Sequence, residues 1–218
     1  MIGIVLNFII QTFFKMLSFL EIFIPIFVIV DSPGLVPVYL GMTEKYSKKR
    51  RKEIVNLAVI VAAGIALMFA LLGNYIFGFL GVSINALEIS GGILLFLIAV
   101  EMLFGIKSKT THSEEQEKES LEKENVAIFP LAIPLLTGPG AITTVIMLMN
   151  LSETLEEKVM IILAIILVFI ITKFVLNNSE ILLKHLGITG LQVLTRIMGI
   201  VVAAIAVELV IKGVETIV

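Results

Sequence analysis

The sequence predicts an all-α membrane protein of six transmembrane helices. Helices 1 and 4 are expected to be discontinuous, and the two halves of the chain are expected to form inverted three-helix repeats. The 218 residues are 58% hydrophobic and 16% charged, and the mean hydropathy is +1.08. Soluble domains have roughly 45–50% apolar and about 25% charged residues. The apolar residues here fall in blocks close to the ~20 residues that span a bilayer, which predicts an integral membrane protein.

The predicted spans follow these apolar blocks along the chain. They cover residues 13–43, 54–80, 84–106, 127–150, 159–176 and 190–214. We assign residues 1–106 to a first three-span repeat, 107–126 to a polar cytoplasmic linker and 127–218 to a second repeat, all within a single membrane domain. The linker is rich in charged residues, which is typical of a solvated segment.

The two halves resemble each other in sequence. When residues 31–34 are placed on residues 137–140, later residues also coincide if one residue of slippage is allowed. The matching pairs are Gly81 with Gly187, Gly92 with Gly199, and Glu101 with Glu208. Each half contains three spans, an odd number, so the second half must cross the membrane in the opposite sense to the first. The pattern therefore predicts an inverted-topology repeat, as found in many secondary transporters.

The distribution of Lys and Arg predicts the orientation in the membrane. Residues 44–52 hold the strongest basic cluster of the chain, and short basic loops stay on the cytoplasmic side. We therefore expect a multi-pass protein of the cell (plasma or inner) membrane with both termini extracytoplasmic. Binding of anionic lipid headgroups is a second, compatible explanation of the basic cluster. No stretch resembles a nucleic-acid-binding patch with interleaved aromatic residues, so no nucleic-acid partner is expected.

Two short segments rich in Pro and Gly, residues 31–34 and 137–140, interrupt the first and fourth spans. Pro and Gly together break a helix, and broken backbone at membrane depth is tolerated only where it is buried in protein or lines a polar cavity. A half-helix can begin at each break, with Asp31 or Ser32 capping the first and Thr137 the second. The free N–H groups of its first turn carry partial positive charge, which suits a carboxylate.

We therefore expect a binding site for a small zwitterion where the two half-helix N-termini meet near the membrane midplane. The ligand carboxylate would lie on the N–H groups of one break, and its ammonium would pair with Asp31 or with backbone carbonyls. The substrate-binding candidates are Asp31, Ser32, Gly34, Leu35, Thr137, Gly138, Gly140 and Ala141. The alternative interpretation is that both breaks are packing kinks and that Asp31 is only a helix cap.

Acidic residues elsewhere in the spans are further candidates. Glu101 and Glu208 occupy matching positions in the two halves and, with Asp31, are candidates for ion coupling or gating. Alternatively, these two glutamates snorkel to the membrane interface. Glu21 lies above the first break and is a candidate for an outer vestibule. The chain has no cysteine, and its two histidines lie in or beside polar loops, so we expect no metal site and no cofactor.

At the two breaks the sequence resembles the MarC/SnatA family of prokaryotic inner-membrane proteins. Residues 31–38 resemble the family's first-repeat motif of an Asp or Asn, a Pro, a Gly and a later Pro. Residues 130–144 are similar to its second-repeat signature, which is the more specific match. The length and the six-span layout agree, so the resemblance covers nearly the whole chain. One departure is Ser32, which separates the acidic residue from the proline that commonly follows it directly in the family.

The resemblance implies transport of small neutral amino acids such as glycine and alanine, coupled to an ion gradient. Both H⁺ and Na⁺ fit a single buried carboxylate among backbone carbonyls, so the residues leave the coupling ion open. The expected partners are the amino acid and the lipid bilayer. An ion or small-solute channel is the main alternative, because it would also use paired half-helices. A membrane-embedded enzyme would need a catalytic His, Cys or second carboxylate in these motifs, and a structural role would predict that Asp31 can be replaced without loss.

Overall fold

The computed structural model describes residues 18–105 and 126–215, and these two ranges are helical apart from short connections. The helical elements, in chain order, are α1 (Ser18–Val30), α2 (Val36–Thr43), α3 (Lys48–Phe79), α4 (Ile84–Phe104), α5 (Ala127–Leu136), α6 (Pro139–Leu151), α7 (Leu155–Asn177) and α8 (Ser179–Glu215). The predicted start of the first span and nearly all of the predicted linker lie outside the described residues. The expectation of an all-α fold is confirmed for the residues described.

Four of these helices, α3, α4, α7 and α8, are long and apolar enough to cross a membrane. A fifth span results if α5 and α6, which bend by 55° at their junction, are counted together. The α1 helix is apolar but shorter, and five residues separate its last residue, Val30, from the start of α2 at Val36. The chain is therefore an integral membrane protein with several apolar helices, and its helical path is interrupted at both predicted breaks.

The basic segment is helical, which corrects its assignment to a loop. The α3 helix begins at Lys48, six residues before the predicted start of the second span. The Ser47 hydroxyl accepts a hydrogen bond from the Arg50 N–H at 3.3 Å and so caps the helix. A serine N-cap satisfies a backbone donor that the first turn would otherwise leave unpaired. The first two turns of α3 thus carry the cationic side chains, and we name the surface formed by Lys48, Arg51 and Lys52 the basic face.

Two glycines at matching positions of the halves adopt left-handed backbone conformations. Gly81 has φ +70° in the turn between α3 and α4, and Gly187 has φ +66° inside α8. Glycine adopts positive φ without the steric penalty that a Cβ imposes. The sixth predicted span, residues 190–214, is the part of α8 that follows this bend. The earlier part of α8 is a short helix that begins at Ser179, directly after α7 ends.

The α4 and α8 helices form the most extensive helix pair in the described structure. At their crossing, a Cβ on Gly92 would lie 2.7 Å from the carbonyl oxygen of Ala206. A Cβ on Gly199 would likewise lie 3.2 Å from the carbonyl oxygen of Ala99. Both glycines therefore let one helix backbone approach the other, which is how small residues promote helix packing in membranes. The contact is reciprocal. Gly92 matches Gly199 in the repeats and Ala99 matches Ala206, and each glycine contacts the alanine of the opposite helix.

The second large contact surface is formed by α3, which packs against α5, α6 and α7. Its buried face is a row of alanines four residues apart, at positions 58, 62, 66 and 70. Residues spaced by four lie on one face of a helix, and alanine permits close approach. The opposite faces expose large apolar side chains such as Ile60 and Phe79, which suits contact with lipid tails.

Candidate functional site

Two prolines precede the second break and make the backbone before it irregular. Phe129 and Ile133 each come directly before a proline, and both have extended backbone with φ −126°. A proline disfavours the helical conformation of the residue before it, so α5 cannot be a regular helix. Its hydrogen bonds include wide turns, in which the Leu131 N–H donates to the Val126 carbonyl at 3.3 Å. The predicted discontinuity covered residues 137–140 alone, whereas non-helical backbone begins at Phe129, eight residues before it.

The α6 helix begins at this break and presents its N-terminus to a cavity. Gly138 is the N-cap with extended backbone, and Pro139 occupies the first turn, a position that suits its fixed φ and missing N–H. Gly140 and Ala141 lie in the first turn, so their N–H groups have no carbonyl partner within the helix. A carboxylate is the type of ligand that such a helix end binds.

The cavity at this helix end has a volume of about 350 Å³. Its walls are mostly apolar, and one acidic side chain lies among them. The lining residues are Ile29, Leu94, Ile98, Glu101, Pro134, Leu135, Leu136, Gly138, Pro139, Gly140 and Ala141. The structure thus places Glu101 on the same cavity as the glycines of the second break. An acidic side chain and the first turn of a helix on one cavity provide the two opposite charges that a zwitterion needs.

Thr137 does not cap α6 as predicted. Its hydroxyl donates instead to the carbonyl oxygen of Ala62 on α3, at 3.0 Å, and both residues are buried. The backbone explains the difference, because the helix begins one residue later than expected and Gly138 takes the N-cap position without a side-chain bond. Thr137 therefore anchors the break to α3 rather than to α6.

The first break is a tight turn around Asp31. This residue has φ +41°, a left-handed conformation that is strained for a residue with a side chain. Its carboxylate accepts a hydrogen bond from the Gly34 N–H at 3.2 Å, and its carbonyl oxygen accepts one from the Leu35 N–H at 3.1 Å. The side chain therefore caps the turn, while α2 itself begins at Val36 with Leu35 as its N-cap and without a side-chain cap. The prediction that Asp31 or Ser32 is the N-cap of the half-helix is therefore wrong, because the helix begins later in the chain, directly after Leu35.

A residue of the second half completes the surroundings of Asp31. The Thr195 hydroxyl, on α8, also donates a hydrogen bond to the Asp31 carboxylate. A Cβ placed on Gly34 would overlap both the Asp31 carboxylate and the Thr195 hydroxyl. The glycine is therefore required by the close approach of these two side chains. Thr195 escaped the sequence analysis, because a lone threonine within an apolar span carries no local signal of a contact that is distant in sequence.

Ser32 is fully buried, and its hydroxyl has no hydrogen-bond partner among the described atoms. Leaving a buried hydroxyl unpaired costs about 1–3 kcal/mol. An unpaired buried hydroxyl calls for a partner such as a water, an ion or a ligand. The Asn56 and Asn177 side chains share this feature among the described residues, so it does not by itself distinguish a binding role from a kink.

The two breaks approach each other, but the candidate residues that line the cavity at the start of α6 all come from the second break. A Cβ on Gly140 would lie 3.1 Å from the Cδ1 atom of Ile29, which is two residues before Asp31. Of the eight predicted substrate-binding residues, Gly138, Gly140 and Ala141 line the cavity. Asp31 and Gly34 instead form a cluster with Thr195.

The remaining acidic candidates lie apart from this cavity. Glu208, the counterpart of Glu101, is exposed on α8 and is absent from the cavity lining. Glu21 lines a separate groove with Glu157, between the start of α1 and the junction of α6 and α7. Glu88 on α4 is buried, with 5% exposure.

Several apolar helices, two interrupted helical paths and a cavity at a helix N-terminus define a polytopic helical membrane protein. Comparison with known proteins gives the family. A sequence profile for the MarC family integral membrane protein matches residues 16–218, and the chain belongs to this family.

Proteins from archaea and bacteria are similar to this chain over nearly their whole length. The UPF0056 membrane protein MJ1677 of Methanocaldococcus jannaschii is 40% identical over 197 residues, which are 90% of this chain and 96% of the relative. The UPF0056 membrane protein YvbG of Bacillus subtilis is 34% identical over 92% of this chain and 96% of the relative. The UPF0056 membrane protein YhcE of Escherichia coli is 31% identical over 94% of this chain and 96% of the relative. No solved structure matches the chain.

Proposed function

We propose that this protein is a secondary active transporter of small neutral amino acids such as glycine and alanine. The observation that carries the proposal is the cavity at the start of α6. There, Gly140 and Ala141, which belong to the first turn of α6, line the same cavity as Glu101. The first group of donors suits the amino acid's carboxylate, and Glu101 suits its ammonium. This assigns the ammonium to Glu101, where the sequence alone favoured Asp31.

The walls of the cavity favour a small, uncharged side chain. Ile29 and Ile98 lie so close to Gly140 that an added Cβ would be 3.1 Å and 2.7 Å from their Cδ1 atoms. Apart from Glu101, the lining side chains are apolar. A ligand with an additional charge on its side chain would thus be buried without a partner, which is costly.

We further propose that the chain forms six spans in two inverted repeats, with residues 1–106 and 127–218 as the repeats and 107–126 as a cytoplasmic linker. The left-handed glycines at positions 81 and 187 support this proposal, as does the reciprocal contact of Gly92 and Gly199. The helix contacts agree as well. A two-fold relation exchanges α4 with α8 and α2 with α6, and the structure has both an α2–α8 and an α4–α6 contact.

Transport would proceed by alternating access, with one group of helices rocking against the other around a fixed site. The coupling ion is H⁺ or Na⁺, and Asp31 is its proposed binding group, because this carboxylate lies at the first break. We place the protein in the cell (inner) membrane with both termini extracytoplasmic, on the basis of the cationic residues at the start of α3. We propose no enzymatic activity, no cofactor and no nucleic-acid partner.

The test is uptake of labelled glycine and alanine into proteoliposomes under an imposed H⁺ gradient, an imposed Na⁺ gradient, or neither. We expect saturable accumulation with one of the two gradients. Glutamate and lysine serve as charged control substrates and should not accumulate. A steady ionic conductance above any carrier's turnover would instead favour the channel alternative. Absence of any flux from folded, inserted protein would refute the amino acid assignment.

A further inference from the structure

We infer that Thr195 positions the Asp31 carboxylate, and that their hydrogen bond links the state of the first break to the position of α8. This inference rests on the proposed transport function. Thr195 is a positioning residue, because it acts on Asp31 and does not line the cavity at the start of α6. Asp31 belongs to the first half of the chain and Thr195 to the second. Relative movement of the halves therefore changes the distance between them.

The contact is formed by closely packed groups. The Asp31 carboxylate accepts from the Gly34 N–H and from the Thr195 hydroxyl. Gly34 lies against both side chains so tightly that even a methyl group would overlap them. The α2 and α8 helices pack against each other at this level.

The energetics explain why this hydrogen bond matters. A carboxylate within a membrane protein is costly unless donors surround it, and Asp31 also has a strained, left-handed backbone. Such strain persists only where neighbouring contacts fix the residue. Thr195 is the donor to Asp31 that comes from the other half of the chain. A proton or a cation bound at Asp31 competes with this donor, so binding at the first break weakens the link to α8.

This link predicts a specific defect when the Thr195 hydroxyl is removed. Binding of the coupling ion should no longer drive the relative movement of the two halves, while binding of the amino acid in the cavity at the start of α6 should persist. In proteoliposomes, Thr195→Val should lower gradient-driven accumulation of labelled glycine about tenfold, the effect of losing one hydrogen bond to a charged group. Exchange of glycine across vesicles without a gradient, and its KM, should stay within about twofold of wild type.

Two matched variants separate positioning from packing. Thr195→Ser keeps the hydroxyl and should restore gradient-driven accumulation. Thr172→Val removes a threonine hydroxyl that donates only to the Val168 carbonyl of its own helix, at 2.9 Å, and should leave the ratio of accumulation to exchange unchanged. The inference is overturned if Thr195→Val lowers accumulation and exchange in proportion, or if Thr195→Ser behaves like Thr195→Val.

A stability measurement keeps the inference testable even if the protein transports no glycine. We expect Thr195→Val to lower the melting temperature in detergent more than Thr195→Ser does, and we expect this difference to disappear in an Asp31→Ala background. Equal losses in both backgrounds would exclude the link. If Asp31→Ala does not yield folded protein, the wild-type background decides, because a packing role predicts the lower melting temperature for Thr195→Ser, which loses the methyl group that valine keeps. Absence of transport by wild-type protein would refute only the proposed function.

Discussion

Arg51 on α3 and Glu180 on α8 form an ion pair, with 2.9 Å between Nη1 and Oε1. The same guanidinium donates to the carbonyl oxygens of Thr43 and Glu44 at the end of α2, at 2.8 Å and 3.1 Å. Arg51 therefore joins the first half of the chain to the second at the basic face. Lys48 adds a further contact to Glu180, at 3.4 Å.

We expect Arg51→Gln to destabilise the protein more than Glu180→Gln. The Arg51 side chain is 19% exposed and also satisfies two backbone carbonyls, whereas the Glu180 side chain is 52% exposed. Loss of Arg51 should cost about 1–3 kcal/mol, and loss of Glu180 about 0.2–1 kcal/mol. Thermal unfolding in detergent measures both. Arg50→Gln is the control, because Arg50 pairs only with Glu53 of its own helix in this structure; equal effects of the Arg50 and Arg51 variants would contradict the prediction.

Gly92→Ala should destabilise the α4–α8 crossing. The new methyl would lie 2.7 Å from the backbone oxygen of Ala206, which cannot move without shifting the helix. Overpacking of this kind costs about 1–3 kcal/mol. Gly64→Ala is the control, since nothing lies within 4 Å of a Cβ at that position in α3, and alanine should stabilise that helix by about 0.5–1 kcal/mol. Melting temperatures that do not differ in this direction would argue against a tight crossing.

Asp31→Asn should abolish most uptake while the protein still inserts and purifies. The asparagine oxygen can still accept from the Gly34 N–H, so the turn at the first break is expected to form. The charge that a coupling cation or proton requires is lost. Uptake into proteoliposomes and the yield of monodisperse protein are measured together. Normal ion-driven uptake would remove Asp31 from the mechanism and return it to the role of a turn cap.

Gly140→Ala should reduce amino acid uptake through a loss of space in the cavity. The added methyl meets the flexible ends of Ile98 and Ile29, so the fold should tolerate it. Uptake should fall, and a second substitution, Ile98→Ala, should restore part of it. Gly41→Ala in α2 is the control, because a Cβ there has nothing within 4 Å. A double variant as inactive as Gly140→Ala alone would exclude the steric explanation.

Glu101→Gln should impair uptake more than Glu208→Gln, although the two residues match in the repeats. Glu101 lines the cavity at the start of α6, and Glu208 is exposed on α8. Removing a charge partner of the ligand should raise the KM for glycine about tenfold, the change expected for one charged hydrogen bond. Initial rates over a range of glycine concentrations give both KM values. Equal KM changes for the two variants would contradict the assignment of the ammonium to Glu101.

The sequence predicted the features that local rules control. The bounds of α4 and the position of the second break follow from hydropathy and from Pro and Gly. The start of α3 at Lys48 was missed although Ser47 is a recognisable cap, because the basic residues were attributed to a loop. The irregular α5 was not predicted from hydropathy, because Pro130 and Pro134 act on the backbone of the residues before them without changing the apolar character of the segment.

Contacts between distant parts of the chain were beyond such rules. Thr137 was correctly located at the break, but its partner, the Ala62 carbonyl, is on another helix and is defined by packing alone. The same holds for Thr195 and Asp31. A hydroxyl in an apolar span has many available acceptors, including carbonyls of its own helix, as Thr172 illustrates. Only the three-dimensional arrangement selects one of them.

An exchange of conformation between the two halves would affect two of the contacts described above in different ways. One is the reciprocal contact of Gly92 and Gly199, and the other is the ion pair of Arg51 and Glu180. The glycine crossing maps onto itself under that exchange, so it can serve as a fulcrum that persists throughout the cycle. The ion pair has no such counterpart, because the residue that matches Arg51 is Glu157, which bonds to the backbone of its own helix end. Under the proposed alternating access, the two end states would therefore differ in energy, and we expect the state that contains the Arg51–Glu180 ion pair to be favoured at rest.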